Sequence, residues 1–422
     1  MKIAAYTVVL GLGLLASACG SDKRGTGGGG GTQKETVKIG VMHTLTGEYR
    51  EYGPPADNAV KLAIKEINAA GGVLGGRNLE AIYTDSKTEA TAVAVPAMML
   101  VAAKVAGVVE DNSSSISLEL LKYTGPASIA QLSASSTSPE LIKAGDNFFR
   151  FAPPDTLQAG VLAKQAHDKG INKVAILYEA DDSYGKGLND AFKMKFESVG
   201  GVVTQSDSFD PMASSFRDLI QRMLAGAPEA VMLPVTTGSA GKLLKEVKAQ
   251  LGTRAAPRWL FPDSLHIQEF VDNLNVAKSL VEGAIGTAPT TSDEADAKMR
   301  QTTFTTAYKA EYSKDPAQFN DAGYDSVYVL AAAVQRAGSA DPAMVLAQIR
   351  EVAGKTDAPA GTKFGPGQWK AGVDALAASQ GVNYEGASGS CDLDDNGDPS
   401  GFYNVWSIEG GKIKDATTAV RP

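Results

Sequence analysis

Short apolar runs alternate with stretches of helical spacing, twice over, and this rhythm most narrows what the chain can fold into. Val37-Lys-Ile-Gly-Val-Met42 alternates apolar residues and reads as a strand. Ala56 to Ala70 carries Val60, Ala63, Ile64 and Ile67 at helical spacing, and Gly71-Gly72 stops it. Leu79 to Tyr83 gives a second strand, Ala90 to Lys104 a helix, and Val105 to Val109 a third strand. From Pro153 the pattern restarts. Helices are expected over Gln158–Lys169, Lys186–Val199, Phe216–Leu224 and Ser239–Leu251. Strands are expected over Val174–Tyr178, at Val202-Val203, and over Ala230–Val235 and Trp259–Phe261. Ala284–Ala288 reads as a return strand, followed by helices over Ala297–Ser313, Asp321–Ala337 and Pro342–Val352 and a last strand over Phe402–Ser407. Such alternation predicts an α/β chain of doubly wound parallel sheets, with a ligand at the carboxyl ends of the strands.

With 422 residues the chain is too long for one ordinary core, and 43% hydrophobic with 21% charged residues marks it as globular. A net charge of -8 argues against a nucleic-acid surface. His43, His167 and His266 lie far apart and there are two cysteines, so no zinc spacing arises and neither a metal nor a cofactor is expected. Asp392-Leu-Asp-Asp-Asn-Gly-Asp398 has the acidic spacing and central glycine of a calcium loop. Tyr403 stands where the closing glutamate belongs, so it is read as a polar turn.

The N-terminus carries an address. Met1-Lys2 is a positive start, and Ile3 to Leu15 is an apolar run too short to reside across a bilayer. Leu15-Ala-Ser-Ala-Cys19 then resembles a bacterial lipoprotein signal, with Cys19 the lipidated residue; an ordinary secretory cleavage after Ala-Ser-Ala is the alternative. The expected division is a signal peptide over 1–18 and a glycine-rich tether over 19–35. The folded part would then work outside the cytoplasmic membrane.

Two serine-rich stretches, Glu110-Asp-Asn-Ser-Ser-Ser-Ile116 and Leu132-Ser-Ala-Ser-Ser-Thr-Ser-Pro-Glu140, each follow a strand-like run and precede a helical pattern. In the second, Ser138 precedes Pro139 and Thr137 stands three residues before Glu140, the chemistry of a helix start. Two helix mouths this close would aim unpaired N–H groups, hydroxyls and positive dipole ends at one place, which suits a carboxylate. Ordinary capping serines are the plainer reading.

Val37-Lys-Ile-Gly-Val, Leu45-Thr-Gly47, Tyr52-Gly53, Ile67-Asn-Ala-Ala-Gly-Gly72, Asp111-Asn-Ser-Ser-Ser115, Ser136-Thr-Ser-Pro-Glu-Leu141 and Asp182-Ser-Tyr-Gly185 together resemble the branched-chain amino-acid-binding proteins of ABC transporters, of the type I periplasmic class. The resemblance runs in order from about residue 36 to 415. It implies two lobes, 36–152 plus 289–398 and 153–288 plus 399–415, joined by a three-strand hinge and closing on a ligand. By position it implies that Ser113, Ser135 and Thr137 hold a ligand carboxylate with backbone N–H groups helping, that Ser114 and Ser136 also stand at the ligand, that Asp263 meets the ammonium, and that Tyr184 covers the ligand. Thr236 stands where such proteins often have tyrosine. Asp263 as a helix cap and Tyr184 as a core residue are the alternatives. For the side-chain end of the pocket, Tyr52, Asp111, Asn112, Asp321 and Tyr324 are the candidates. Asp111 and Asn112 replace the apolar lining of branched-chain binders, which points to a ligand with a polar or cationic distal end; Asp111 facing solvent or capping the next helix is the other reading. The partners implied are a small ligand and a membrane permease, with the chain monomeric. A sensor reporting to a signalling partner fits the same residues. An anchored hydrolase fits them poorly, since Gly386-Ala-Ser-Gly-Ser390 lacks the last glycine of a nucleophile elbow.

Overall fold

The computed structural model describes residues 34–422 except Glu48, Asn112, 144–146 and 357–359. The expected signal peptide, most of the tether, Cys19 and Asn112 therefore lie outside the described residues.

The first sheet has strand order β2-β1-β3-β4-β5 and is parallel throughout. Its strands are β1 (Val37–His43), β2 (Leu79–Asp85), β3 (Gly107–Asp111), β4 (Ala130–Ser133) and β5 (Phe148–Arg150). Between them run α1 (Gly53–Ala69), α2 (Ala94–Ala102) and α3 (Ser114–Thr124). Prolines in the first turn start α1, where a missing N–H costs nothing, and Gly72 beyond its end takes φ +66°, open to glycine without strain. The second sheet begins after α4 (Asp155–Asp168). It comprises β6 (Lys173–Glu179), β7 (Val202–Phe209), β8 (Ala230–Met232), β9 (Arg258–Phe261) and β10 (Ile285–Thr290), with α5 (Ser183–Ser198), α6 (Arg217–Ala225), α7 (Thr237–Leu251) and α8 (Gln268–Asn273) between them. Its order, β14-β13-β10-β9-β8-β6-β7, repeats the first sheet's pattern and adds two antiparallel strands, β13 (Phe402–Glu409) and β14 (Lys412–Asp415).

From β10 the chain returns to the first sheet, where α9 (Ala295–Tyr312) and α10 (Asn320–Ala337) pack with α1. Helix α10 is buried along nearly its whole length, and its Ala331, Ala332 and Ala333 let neighbours approach closely. α11 (Pro342–Leu346), α12 (Ile349–Ala353), α13 (Trp369–Ala377) and the small parallel pair β11 (Thr362–Phe364) and β12 (Val382–Tyr384) complete this lobe. The chain thus passes between the lobes three times, after β5, after β10 and before β13. Apolar side chains cover both faces of each sheet, as parallel strands require.

Three expectations differ from the structure. The second serine stretch opens no α-helix: Pro139–Lys143 is one 3-10 turn, because β5 begins at Phe148 and leaves no length to propagate. The helix expected over Pro342–Val352 is two, α11 and α12. The Gln348 N–H turns to the Val345 carbonyl at 2.9 Å, and Val345, Ile349 and Val352 all stay buried. The long helix expected over Ala90–Lys104 is a 3-10 turn at Ala90–Ala92 followed by the shorter α2. In the Asp392–Asp398 turn the Asp394 carboxylate accepts the N–H groups of Asn396 and Asp398 at 2.8 and 3.0 Å, and Asp398 pairs with Arg150. Among the described residues no cluster of histidine, cysteine or acidic side chains is arranged to hold a metal. Burial pushes the free Cys391 thiol well above its ordinary range.

Candidate ligand-binding cleft

In each sheet the connections diverge on either side of its first strand in sequence, β1 and β6, and the crevice there is where doubly wound folds take ligands. One wall of the cleft comes from the first lobe: Thr44, Tyr49 and Tyr52 after β1, Asp111 at the end of β3, Ser113 and Ser114 at the start of α3, and Ser135 after β4. Ser113 is the extended N-cap of α3, yet its hydroxyl makes no capping bond. Its carbonyl takes the N–H groups of Ile116 and Ser117, at 3.0 and 3.1 Å. Among the described residues no protein acceptor meets the N–H groups of Ser114 and Ser115. This helix mouth therefore presents free donors and the positive end of an 11-residue helix.

The opposite wall is built from Tyr184 and Asp263. Asp182 caps α5 by accepting the Gly185 N–H at 2.8 Å, which fixes Tyr184 in the first turn. Asp263 follows β9, and the Tyr184 hydroxyl donates to its Oδ1 at 3.1 Å. Both residues are buried. Burial raises the Asp263 carboxyl above the usual range, and hydrogen bonds from Gln158 and Tyr184 offset part of this. A carboxylate so placed gains from an incoming cation. The space between the walls is about 80 Å³.

The lobes touch across the cleft. The Ser115 hydroxyl accepts the Ser183 N–H at 2.9 Å and donates to Asp182 at 3.3 Å, while the Ser138 hydroxyl donates to the Ser183 carbonyl at 2.9 Å. At Gly187 on α5, an added Cβ would stand 2.6 Å from Pro139 Cδ and 2.9 Å from Ser138 Oγ. Gly187→Ala is therefore expected to prop the lobes apart, weakening ligand affinity roughly tenfold or more while the apo protein melts within about a degree of wild type. Calorimetry beside a melting curve checks this; undiminished affinity would show that the contact plays no part in closure.

Ser113, Ser114, Ser135, Tyr184, Asp263, Tyr52 and Asp111 share the cleft, whereas four other candidates are placed elsewhere. Ser136 turns inward, its hydroxyl 2.6 Å from that of Ser117. Thr137 is buried, and its hydroxyl meets no hydrogen-bond partner among the described residues. Thr236 caps α7 by accepting the Ser239 N–H at 3.1 Å, and donates to Glu179 at 2.8 Å. The Tyr324 hydroxyl bonds to Glu66, inside the first lobe. Ser136, Thr236 and Tyr324 are each drawn off by a nearer polar partner. Thr44, Tyr49, Ser264, Gln318 and Phe319 line the cleft without having been singled out in sequence. They come from loops far apart in the chain, and only the tertiary fold brings them together.

Asp321 stands beside the cleft, in an adjoining cavity. Burial first, then the Asp325 and Asp111 carboxylates, pushes its carboxyl up to about 7. The folded chain therefore binds this proton more tightly than the unfolded chain, and the native state loses stability as pH rises from about 4 through about 7. Between pH 5 and pH 8 the loss is about 3 kcal/mol at roughly 1.4 kcal/mol per unit. The fall in melting temperature over that interval should be several degrees smaller in Asp321→Asn than in wild type. An equal fall in both would contradict the assignment.

Residues 36–385 match the family described as Periplasmic binding protein. The chain belongs to that family. Its role is accordingly extracytoplasmic solute binding. Among curated relatives it is 27% identical over 317 residues to the leucine-, isoleucine-, valine-, threonine-, and alanine-binding protein of Pseudomonas aeruginosa, covering 75% of this chain and 82% of that one. It is 26% identical over 356 residues to an amino acid binding protein of the same organism, covering 83% of this chain and 90% of that one. Among solved structures, a leucine binding protein of Thermotoga maritima aligns with a TM-score of 0.74 at 23% identity, covering 92% of this chain and 99% of that one. A branched-chain amino acid substrate binding protein of Streptococcus pneumoniae, solved with isoleucine, aligns with the same TM-score of 0.74 at 22% identity, covering 92% of this chain and all of that one. These establish the two-lobed fold of the type I class. Among the described residues no helix is long and apolar enough to cross a membrane.

Proposed function

We propose that the cleft binds an α-amino acid or a similar small zwitterion and delivers it to the membrane permease of an ABC importer, with no catalytic step. One observation carries this reading: free donors at the mouth of α3, with the Ser113 and Ser135 hydroxyls, face the same small space as the Asp263–Tyr184 pair of the other lobe. The carboxylate takes the donors of the first lobe and the ammonium takes Asp263. Charge-assisted bonds are about twice as strong as neutral ones, and placing the two ends on different lobes makes closure depend on occupancy. Curated relatives named for amino-acid binding support the ligand class. The lobes span 36–152 plus 289–398 and 153–288 plus 399–415, and the protein works as a monomer.

A thermal-shift screen of amino acids on the chain lacking residues 1–35 tests this. A true ligand at one hundred times its dissociation constant adds about 2.7 kcal/mol of stability. Stabilisation by no amino acid or related zwitterion would refute the reading. We also propose that Cys19 is acylated and tethers the protein to the membrane surface. Cys19→Ser is expected to move the full-length protein from the membrane fraction to the soluble one; persistence in the membrane fraction would refute the anchor.

A further inference from the structure

Beside the cleft lies a larger cavity, about 570 Å³, lined by all three interlobe crossovers through Ala152, Thr290 and Gly401. It falls in the usual range for small-molecule sites, roughly 300–1,000 Å³. The cleft itself offers about 80 Å³, which at roughly 10–15 Å³ per water-sized probe holds about half a dozen non-hydrogen atoms. That is room for the charged end of an amino acid and little more. Tyr52, Gln318 and Phe319 line both spaces and form the partition between them. Phe319 holds φ +65°, a conformation bulky residues rarely adopt, and so turns the chain abruptly into α10 at this boundary. Gln318 reaches the second crossover, its Nε2 donating to the Pro289 carbonyl at 3.3 Å.

The larger cavity is one-sided in charge. Glu51, Glu269, Asp321 and Asp415 line it, and among the described residues no lysine or arginine does. Its one basic group, His266, is already held by Asp415 at 2.8 Å. Glu51 accepts a bond from the Thr237 hydroxyl at 3.2 Å, and Asp321 Oδ1 accepts the N–H of its own neighbour Ala322 at 2.9 Å; neither has a cationic partner among the described residues. Asp321 lies close enough to Asp111, inside the cleft, for the two carboxylates to repel. Acidic groups therefore continue from the cleft, past the partition, into the cavity.

We infer that this cavity is a second subsite which receives the cationic extension of the ligand, passed between Tyr52 and the Gln318–Phe319 pair. This rests on the amino-acid reading above and names the substrate class: amino acids or small conjugates with a positively charged tail of several atoms. Asp111 meets the start of the tail and Asp321 its charge, with Glu269 and Glu51 adding field from the rim. A neutral tail of equal length would reach the same space and leave these carboxylates unpaired.

The test compares lysine with norleucine, which has the same chain without the terminal ammonium, by calorimetry on the chain lacking residues 1–35. Lysine is expected to bind at least roughly tenfold tighter than norleucine, and Asp321→Asn to erase most of that ratio. Glu269→Gln, at an exposed position, should reduce the ratio by a smaller factor. Norleucine binding as well as lysine in the wild type, or a ratio untouched by both substitutions, overturns the second subsite while leaving the amino-acid reading intact. Failure of both probes, and of every other amino acid, overturns that reading too.

Discussion

Asp263→Asn is expected to weaken binding of the best amino-acid ligand by a factor of about 30 or more, while the apo protein melts no lower than wild type. The Asp263 carboxylate is buried, and its pKa is raised by that burial against the hydrogen bonds of Gln158 and Tyr184. A carboxylate kept at such cost without a cation is poised for one. Removing one partner of a buried, hydrogen-bonded charge pair costs about 2–5 kcal/mol of binding, which sets the lower bound on the loss. In the apo state the same substitution removes an uncompensated charge and retains an oxygen for the Tyr184 hydroxyl, so stability should hold or rise. Were Asp263 only a local cap, melting would fall and affinity would not. Parallel calorimetry and thermal denaturation separate the two outcomes.

The second large effect is on folding. Arg150, at the end of β5, is fully buried and donates from Nε to Asp398 at 2.6 Å. Its Nη1 also serves the carbonyls of Ser136 and Ser138, at 3.2 and 3.0 Å. One side chain thus ties the first crossover to the third and fixes the second serine segment. Arg150→Met leaves Asp398 charged, buried and alone, and should cost about 3–5 kcal/mol in urea denaturation. Adding Asp398→Asn to that variant should restore part of the loss, since the stranded charge goes with it. A cost below about 1 kcal/mol for the single change would show that water reaches this pair.

Much of the architecture was legible because it rests on local patterns. β1, β3 and β6 are apolar runs bounded by turn residues, and the Gly71-Gly72 stop and the strand–helix rhythm need no tertiary knowledge. The elements missed or misread depend on context. Trp369, Val373 and Leu376 give α13 a short apolar face that alone does not distinguish it from a loop. The 3-10 turn at Pro139–Lys143 carries good helix-start chemistry, overridden by the nearness of β5. The site divides in the same way. Ser113 sits in a serine-rich helix mouth at a strand end that the residues themselves mark, whereas Tyr184 and Asp263 come from the family resemblance alone. Thr137 and Tyr324 sit in equally suggestive motifs, but Thr137 is buried away from the cleft and the Tyr324 hydroxyl turns to Glu66, far off in sequence. Gln318 and Phe319, between cleft and cavity, carry no local signal.

The most direct test of the central claim measures the affinity of the best amino-acid ligand beside its N-acetyl and its C-terminal amide forms. If the carboxylate is held at the mouth of α3 and the ammonium at Asp263, each modification alone should reduce affinity by about two orders of magnitude or more, the cost of stranding a buried charged partner. An N-acetyl or amide derivative that binds as tightly as the parent would contradict it.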